Sequence, residues 1–218
     1  RSLGLTANPR EVKLAGDGSL LLSGYATSDA GCSNFHGASG VRDVWFARVN
    51  AASGSVIQNL CIGGDDDDEA FAVREVTFAD GGTAGHITGS TDTHSNGDIG
   101  PKKGGGGVNA PDMLNAFLIE GAGGTTVRAS CQGTNGPDEG RGFLDDGSLV
   151  GNTFGANDGD LVNETVPPGF NDLMVARFAG GVPCVAQSCT VTANRIAGNL
   201  GDSIFGALPG NLVYGTTR

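Results

Sequence analysis

Asp17-Gly-Ser-Leu-Leu-Leu-Ser-Gly24 is followed by Asp80-Gly-Gly-Thr-Ala-Gly-His-Ile-Thr-Gly89, by Asp146-Gly-Ser-Leu-Val-Gly-Asn-Thr153 and by Pro209-Gly-Asn-Leu-Val-Tyr-Gly-Thr216. Each is a glycine turn running into a short apolar segment. Two-residue hairpin turns need positive φ, which glycine adopts freely and Asp or Asn tolerates. A tight hairpin is therefore predicted at each. Three more anchors recur around it in fixed order. The first is an apolar strand after a polar residue: Asp43-Val-Trp-Phe-Ala-Arg48, Asn115-Ala-Phe-Leu-Ile-Glu120 and Asp172-Leu-Met-Val-Ala-Arg177. The second is a strand ending in cysteine: Ser55 to Cys61, Thr125 to Cys131 and Pro183 to Cys189. The third is a turn aspartate opening a strand, at Asp68, Asp138 and Asp202. Arg10-Glu-Val12 before Asp17 returns as Arg74-Glu-Val76 before Asp80.

The period is about 65 residues, and repeats of that length announce solenoids or propellers. Four antiparallel strands per period describe a propeller blade. The expected fold is all-β: four-stranded, β-propeller-like blades, three full plus a half, in one repeat domain over 1–218. Its divisions are 1–42 (half blade and loop), 43–114, 115–171 and 172–218. The opening on Arg1-Ser2-Leu3 reads as the middle of a pattern, as in a piece of a longer precursor. Three and a half blades leave open edges, so completion by neighbouring copies, as a homo-oligomer or fibre, or by a longer parent chain is expected; a packing other than a propeller is the third resolution.

Composition narrows the function. There are 39 glycines, roughly 18% against a usual ~7%. They lack a Gly-X-Y period, which excludes collagen. A formal charge of −11 repels phosphate backbones and argues against nucleic acid as a partner. No run of 18 apolar residues occurs, so no membrane-spanning helix is expected. The five cysteines, Cys32, Cys61, Cys131, Cys184 and Cys189, form no C-x-x-C pair. Bridges would suit a secreted protein; core thiols are the other reading. Cys61, Cys131 and Cys189 share one repeat position on neighbouring blades, too far apart to bond. Any bridge must then involve Cys32, Cys184 or another chain.

With these residues in view, the repeat resembles the secreted bacterial β-propeller repeat (SBBP type). Asp43 to Arg48, Gly63-Gly64, Asp68 to Ala70, Asp80-Gly81 and Thr88-Gly89-Ser90-Thr91 follow that family's order. Its repeats are nearer fifty residues, whereas this chain carries long loops at Ala26 to Arg42, Asp92 to Leu114 and Asn157 to Asn171. The resemblance implies an extracellular or cell-surface array without enzymatic activity.

The residues themselves carry little chemistry. No nucleophile elbow, His-Glu-x-x-His or Walker loop appears, so no catalytic residue and no required cofactor is expected. His36, His86 and His94 share no repeated partner and are expected at the surface. The run Asp65-Asp-Asp-Asp-Glu69 could hold calcium, but it lacks EF-hand spacing and reads as a solvated turn, with Asp68 as the turn cap. Asp92, Asp98, Asp158 and Asp160 in the Gly-rich loops could wrap calcium or form Asx turns. Trp45 is expected in the core. The function expected is a structural or adhesive module. The alternative is a module whose Gly/Asp loops bind glycan or calcium.

Overall fold

The computed structural model describes residues 7–27, 32, 41–64, 66–78, 80–92, 99, 110–121, 124–133, 136–154, 172–178, 191–196, 203–208 and 210–216. Every regular element among them is a strand, arranged in four antiparallel sheets. The first holds, side by side, β1 (Ala7–Leu14), β2 (Ser19–Ala26), β3 (Asp43–Asn50) and β4 (Val56–Ile62). The second holds β5 (Asp68–Thr77), β6 (Thr83–Thr91), β7 (Asp112–Gly121) and β8 (Gly124–Gln132). The third holds β9 (Asp138–Phe143), β10 (Leu149–Thr153), β11 (Asp172–Phe178) and β12 (Val191–Ile196). The last is the single pair β13 (Ser203–Leu208) and β14 (Leu212–Thr216). Among the described residues no strand pairing closes the last sheet onto the first. No helix of the described residues is long and apolar enough to cross a membrane.

The hydrogen-bonded sheets are framed differently from the sequence periods. The long loops join the second and third strands of one sheet: β2 pairs with β3 from Ser19↔Asn50 to Ala26↔Asp43, and β6 with β7 likewise. The step between sheets is the short link at 63–67 or 133–137. Successive sheets meet through their first strands. β5 packs on β1, β2 and β3, β9 on β5, β6 and β7, and β13 on β9, β10 and β11.

The turns fall at Asp17, Asp80 and Asp146 but are one residue longer than the tight form. Ala15 N donates to Ser19 O (2.8 Å) and Gly18 N to Ala15 O (3.0 Å), with matching bonds at Phe78 and Leu144. Only the glycine has positive φ: Gly18 (82°), Gly81 (84°) and Gly147 (85°). This is a type I turn closed by a glycine bulge. The aspartate caps it from the side chain: Oδ1 accepts from Ser19 N (2.9 Å), Gly82 N (3.0 Å) and Ser148 N (2.8 Å) respectively. At the fourth turn both Gly210 (83°) and Asn211 (60°) have positive φ.

Strand alternation sends two sets of side chains to opposite faces. In β3, Val44 and Phe46 join Leu60 and Ile62 against Ala70, Val73, Ile87, Leu114 and Leu118 of the second sheet. Trp45, Ala47 and Val49 face the other way, with Cys61 and Cys32. This third strand is buried on both faces, as its apolar run implies.

Two anchors shift register. In the second sheet the counterpart of Asp43 is Asp112, since Thr91↔Asp112 matches Ala26↔Asp43. Asn115 lies inside β7, and the counterpart of Trp45 is Leu114, not Phe117. The strands differ in length, with β3 at 8 residues and β7 at 10, so one alignment cannot match both ends. In the third sheet the second anchor is Val191–Ile196, and Met174 pairs with Arg195 where Trp45 pairs with Cys61. Cys184 and Cys189 lie outside the described residues.

Candidate functional site

The first strand of every sheet breaks register once. β1 does so between Pro9 and Glu11, β5 between Ala70 and Ala72, β9 between Gly140 and Gly142, and β13 between Ile204 and Gly206. The residues left over are Arg10, Phe71, Arg141 and Phe205. A bulge re-aims the side chain of its extra residue. All four of these line one cavity of about 470 Å³. The residue paired just before each bulge is glycine: Gly24, Gly89, Gly151 and Gly215. The reason is steric. A Cβ on Gly89 would stand 1.8 Å from the Glu69 carbonyl oxygen, and one on Gly151 2.0 Å from that of Glu139.

The cavity wall is charged and internally paired. Glu69, nearly buried, accepts from Arg10 Nε and from Arg42 Nη1 (2.8 Å). Asp67 takes Arg42 Nη2 at 2.9 Å and its backbone N–H at 2.9 Å. Burial opposes ionisation of Asp67, but these bonds and the Arg42 charge outweigh it and hold the carboxyl below its usual range. The same hydrogen bond to Asp67 raises Arg42, against partial burial. Both guanidinium groups lie over Tyr25, at 5.3 and 5.5 Å. Across the cavity Arg141 stacks on Phe71 at 3.9 Å and donates Nε to Glu139 (3.0 Å). Ser90, Asp92 and Pro111 complete the wall. In the acidic run Asp66 is exposed, as in a solvated turn, but Asp67 and Glu69 fix two arginines; Asp65 lies outside the described residues.

Asp68 and Asp138, expected as turn caps, are the buried first residues of β5 and β9. Each sits at the link between sheets. Asp68 Oδ2 accepts from Gly64 N (3.0 Å), and a Cβ on Gly63 would fall 2.5 Å from Asp43 Oδ1 and 2.9 Å from Asp68 Oδ2. Gly133 stands in the same way between Asp112 and Asp138. Asp202 lies outside the described residues. Trp45 is 2% exposed and donates Nε1–H to Asn59 Oδ1 (2.7 Å). Cys32 and Cys61 form a disulfide with Cα atoms 5.5 Å apart, while Cys131 is a buried thiol. Of the proposed calcium ligands, Asp98, Asp158 and Asp160 lie outside the described residues; Asp92 belongs to the cavity wall. Among the described residues no group of three or more His, Cys, Asp or Glu side chains is placed to hold a metal ion.

His86 overturns the expectation of a surface histidine. It is fully buried between the second and third sheets, stacked on Phe117 (3.9 Å) and tilted against Phe143 (4.4 Å). Arg74 Nε donates to its Nδ1 (3.0 Å), so Nε2 carries the proton facing Asn115 Oδ1 (2.6 Å). Burial, reinforced by the Arg74 charge, pushes its pKa down to about 3 against the pull of Asn115. His36 and His94 lie outside the described residues. A second cavity, about 250 Å³, opens near Arg74 between Glu11, Phe143 and Leu208. The bulged residues escaped sequence reading because Arg and Phe share no chemistry; the recurrent glycine opposite them was the available signal. No protein-family model matches the chain, and no curated protein matches it.

Proposed function

We propose that the chain is an extracellular structural or adhesive repeat module of the secreted propeller-repeat type, which joins copies of itself through its end sheets. One observation carries this reading. β2, β6 and β10 are largely buried and paired on both sides, whereas their counterpart β14 is exposed along its whole length and, among the described residues, paired to β13 alone. Leu212 is 62% exposed, and Val213 and Tyr214 are exposed beside it. At the other end of the array Val12 and Leu14 of β1 are exposed, Leu14 by 72%. In the complete sheets, what covers such a strand is another sheet of the same kind. A second copy in head-to-tail order supplies one, a contact that propagates instead of closing; further repeats of a longer parent chain would supply the same cover. The Cys32–Cys61 disulfide supports an oxidising compartment.

Sedimentation velocity across concentration tests the proposal. The wild-type chain is expected to form concentration-dependent oligomers, strengthened by salt that screens the −11 charge. Leu212→Lys should return it to monomer. A wild-type monomer at every concentration and salt would remove the reading.

A further inference from the structure

We propose that the cavity ringed by Arg10, Phe71, Arg141 and Phe205 is a carbohydrate site for a neutral, polyhydroxylated ligand. The proposal concerns the bulges of the first strands, not the exposed run of β14 or Val12 and Leu14 that carry the self-association above. Its first support is repetition. Each sheet gives up one ladder position at the same point of its first strand, and all four displaced side chains reach one cavity. Bulges are built features that aim side chains, and four converging ones serve the space they face more than the ladders they interrupt.

The second support is internal pairing of the charges. Arg10, Arg42 and Arg141 stand against Asp67, Glu69, Asp92 and Glu139. Each guanidinium is already engaged by a carboxylate, so an anion would have to displace an internal partner. A cation would have to compete with these arginines for Asp67, Glu69 and Glu139. A sugar hydroxyl both donates and accepts. It can take the N–H groups that the pairs leave over and give its proton to the spare carboxylate lone pairs, without separating either.

The third support is the aromatic rim. Phe205 is 57% exposed at the cavity wall, an apolar surface against which the C–H face of a pyranose ring packs. Arg141 is held flat on Phe71, and Arg10 and Arg42 over Tyr25, so the polar groups are oriented before the ligand arrives. A volume of about 470 Å³ falls in the range of small-ligand clefts and has room for about one or two sugar rings.

The test uses the full chain on an array of neutral, sialylated and sulfated oligosaccharides, then calorimetric titration of the strongest neutral glycan. Retention of neutral glycans is expected, with at least tenfold weaker binding for Arg141→Gln and for Phe205→Ala. Phe205 is exposed, so its variant should keep the wild-type melting temperature. Leu212→Lys should abolish oligomers and keep glycan binding, which separates this proposal from the previous one. The proposal is overturned by an array with no neutral glycan retained, by binding confined to anionic glycans, by wild-type affinity in both cavity variants, or by loss of binding in Leu212→Lys.

Discussion

The junction between the first and second sheets and the junction between the second and third are built in the same geometry from different materials. The first is apolar: Phe46, Val44, Leu60 and Ile62 meet Val73, Ile87, Leu114 and Leu118. At its turn-side end Arg48 crosses from one sheet to the next, donating Nε to Ser19 Oγ (2.7 Å) and Nη1 to Glu120 Oε1 (2.6 Å), with Nη2 near Asp17 (2.9 Å) and Glu75 (3.2 Å). The second junction has a small apolar cluster of Met113, Leu149, Met174 and Ala176, and beside it the His86 stack with Arg74 and Asn115. Arg177 repeats the Arg48 contacts to its own turn, Ser148 and Asp146 at 3.1 Å each, but is itself largely exposed. A repeated backbone therefore does not dictate how its interfaces are filled.

The sharpest way to break that contrast is at its apolar side. Phe46→Ala should cost about 3–5 kcal/mol in urea denaturation, because the ring is fully buried and its Cε2 and Cζ stand against Gly85, where an added Cβ would approach within 3.0 Å. A loss below about 1 kcal/mol would mean that the first junction is not the principal core.

The two arginines come next. Arg48→Ala removes charged hydrogen bonds from a nearly buried site and should cost about 1.5–3 kcal/mol. Arg177→Ala should cost less than about 1 kcal/mol, as exposed pairs do. Equal losses in thermal melts would erase the distinction between the junctions.

The last contrast is acid sensitivity, assigned to the second junction and seen only below pH 6.5. His86 has a folded pKa of about 3, below its unfolded value near 6.5. Its neutral form is thus favoured in the fold. The stability linked to it is whole above pH 6.5 and falls as pH drops towards 3, by about 1–2 kcal/mol at pH 5. His86→Phe should be less stable at pH 7, since Arg74 and Asn115 lose a partner, and should lose less than the wild type between pH 7 and 5. Identical pH slopes would place the acid response elsewhere.

The sheet architecture was legible in the Asp-Gly pairs and the apolar segments around them, because turn chemistry and alternation act over a few residues. Burial of Trp45 and of β3 on both faces was legible for the same reason. The register of β7 was not. Asn115 resembles the polar start of a strand, and only the pairing of Asp112 with Thr91 distinguishes the two. The frame of the sheets was hidden because proximity in sequence favours β4 with β5, joined by the short link at 63–67, over β2 with β3 across a long loop. The cavity was hidden most thoroughly, since Arg10 and Phe71 look unrelated until the bulges align them. His86 was misplaced because its partners Arg74 and Asn115 lie 12 and 29 residues away.

The bulges have an evolutionary consequence. Their backbone path depends on the extra residue and on the glycine facing it, while the side chain carried by the extra residue takes no part in the core. The four positions can therefore exchange charge, size and aromaticity through single codon changes while the ladders around them stay intact. A lineage built on this plan could retarget the cavity without redesigning its scaffold.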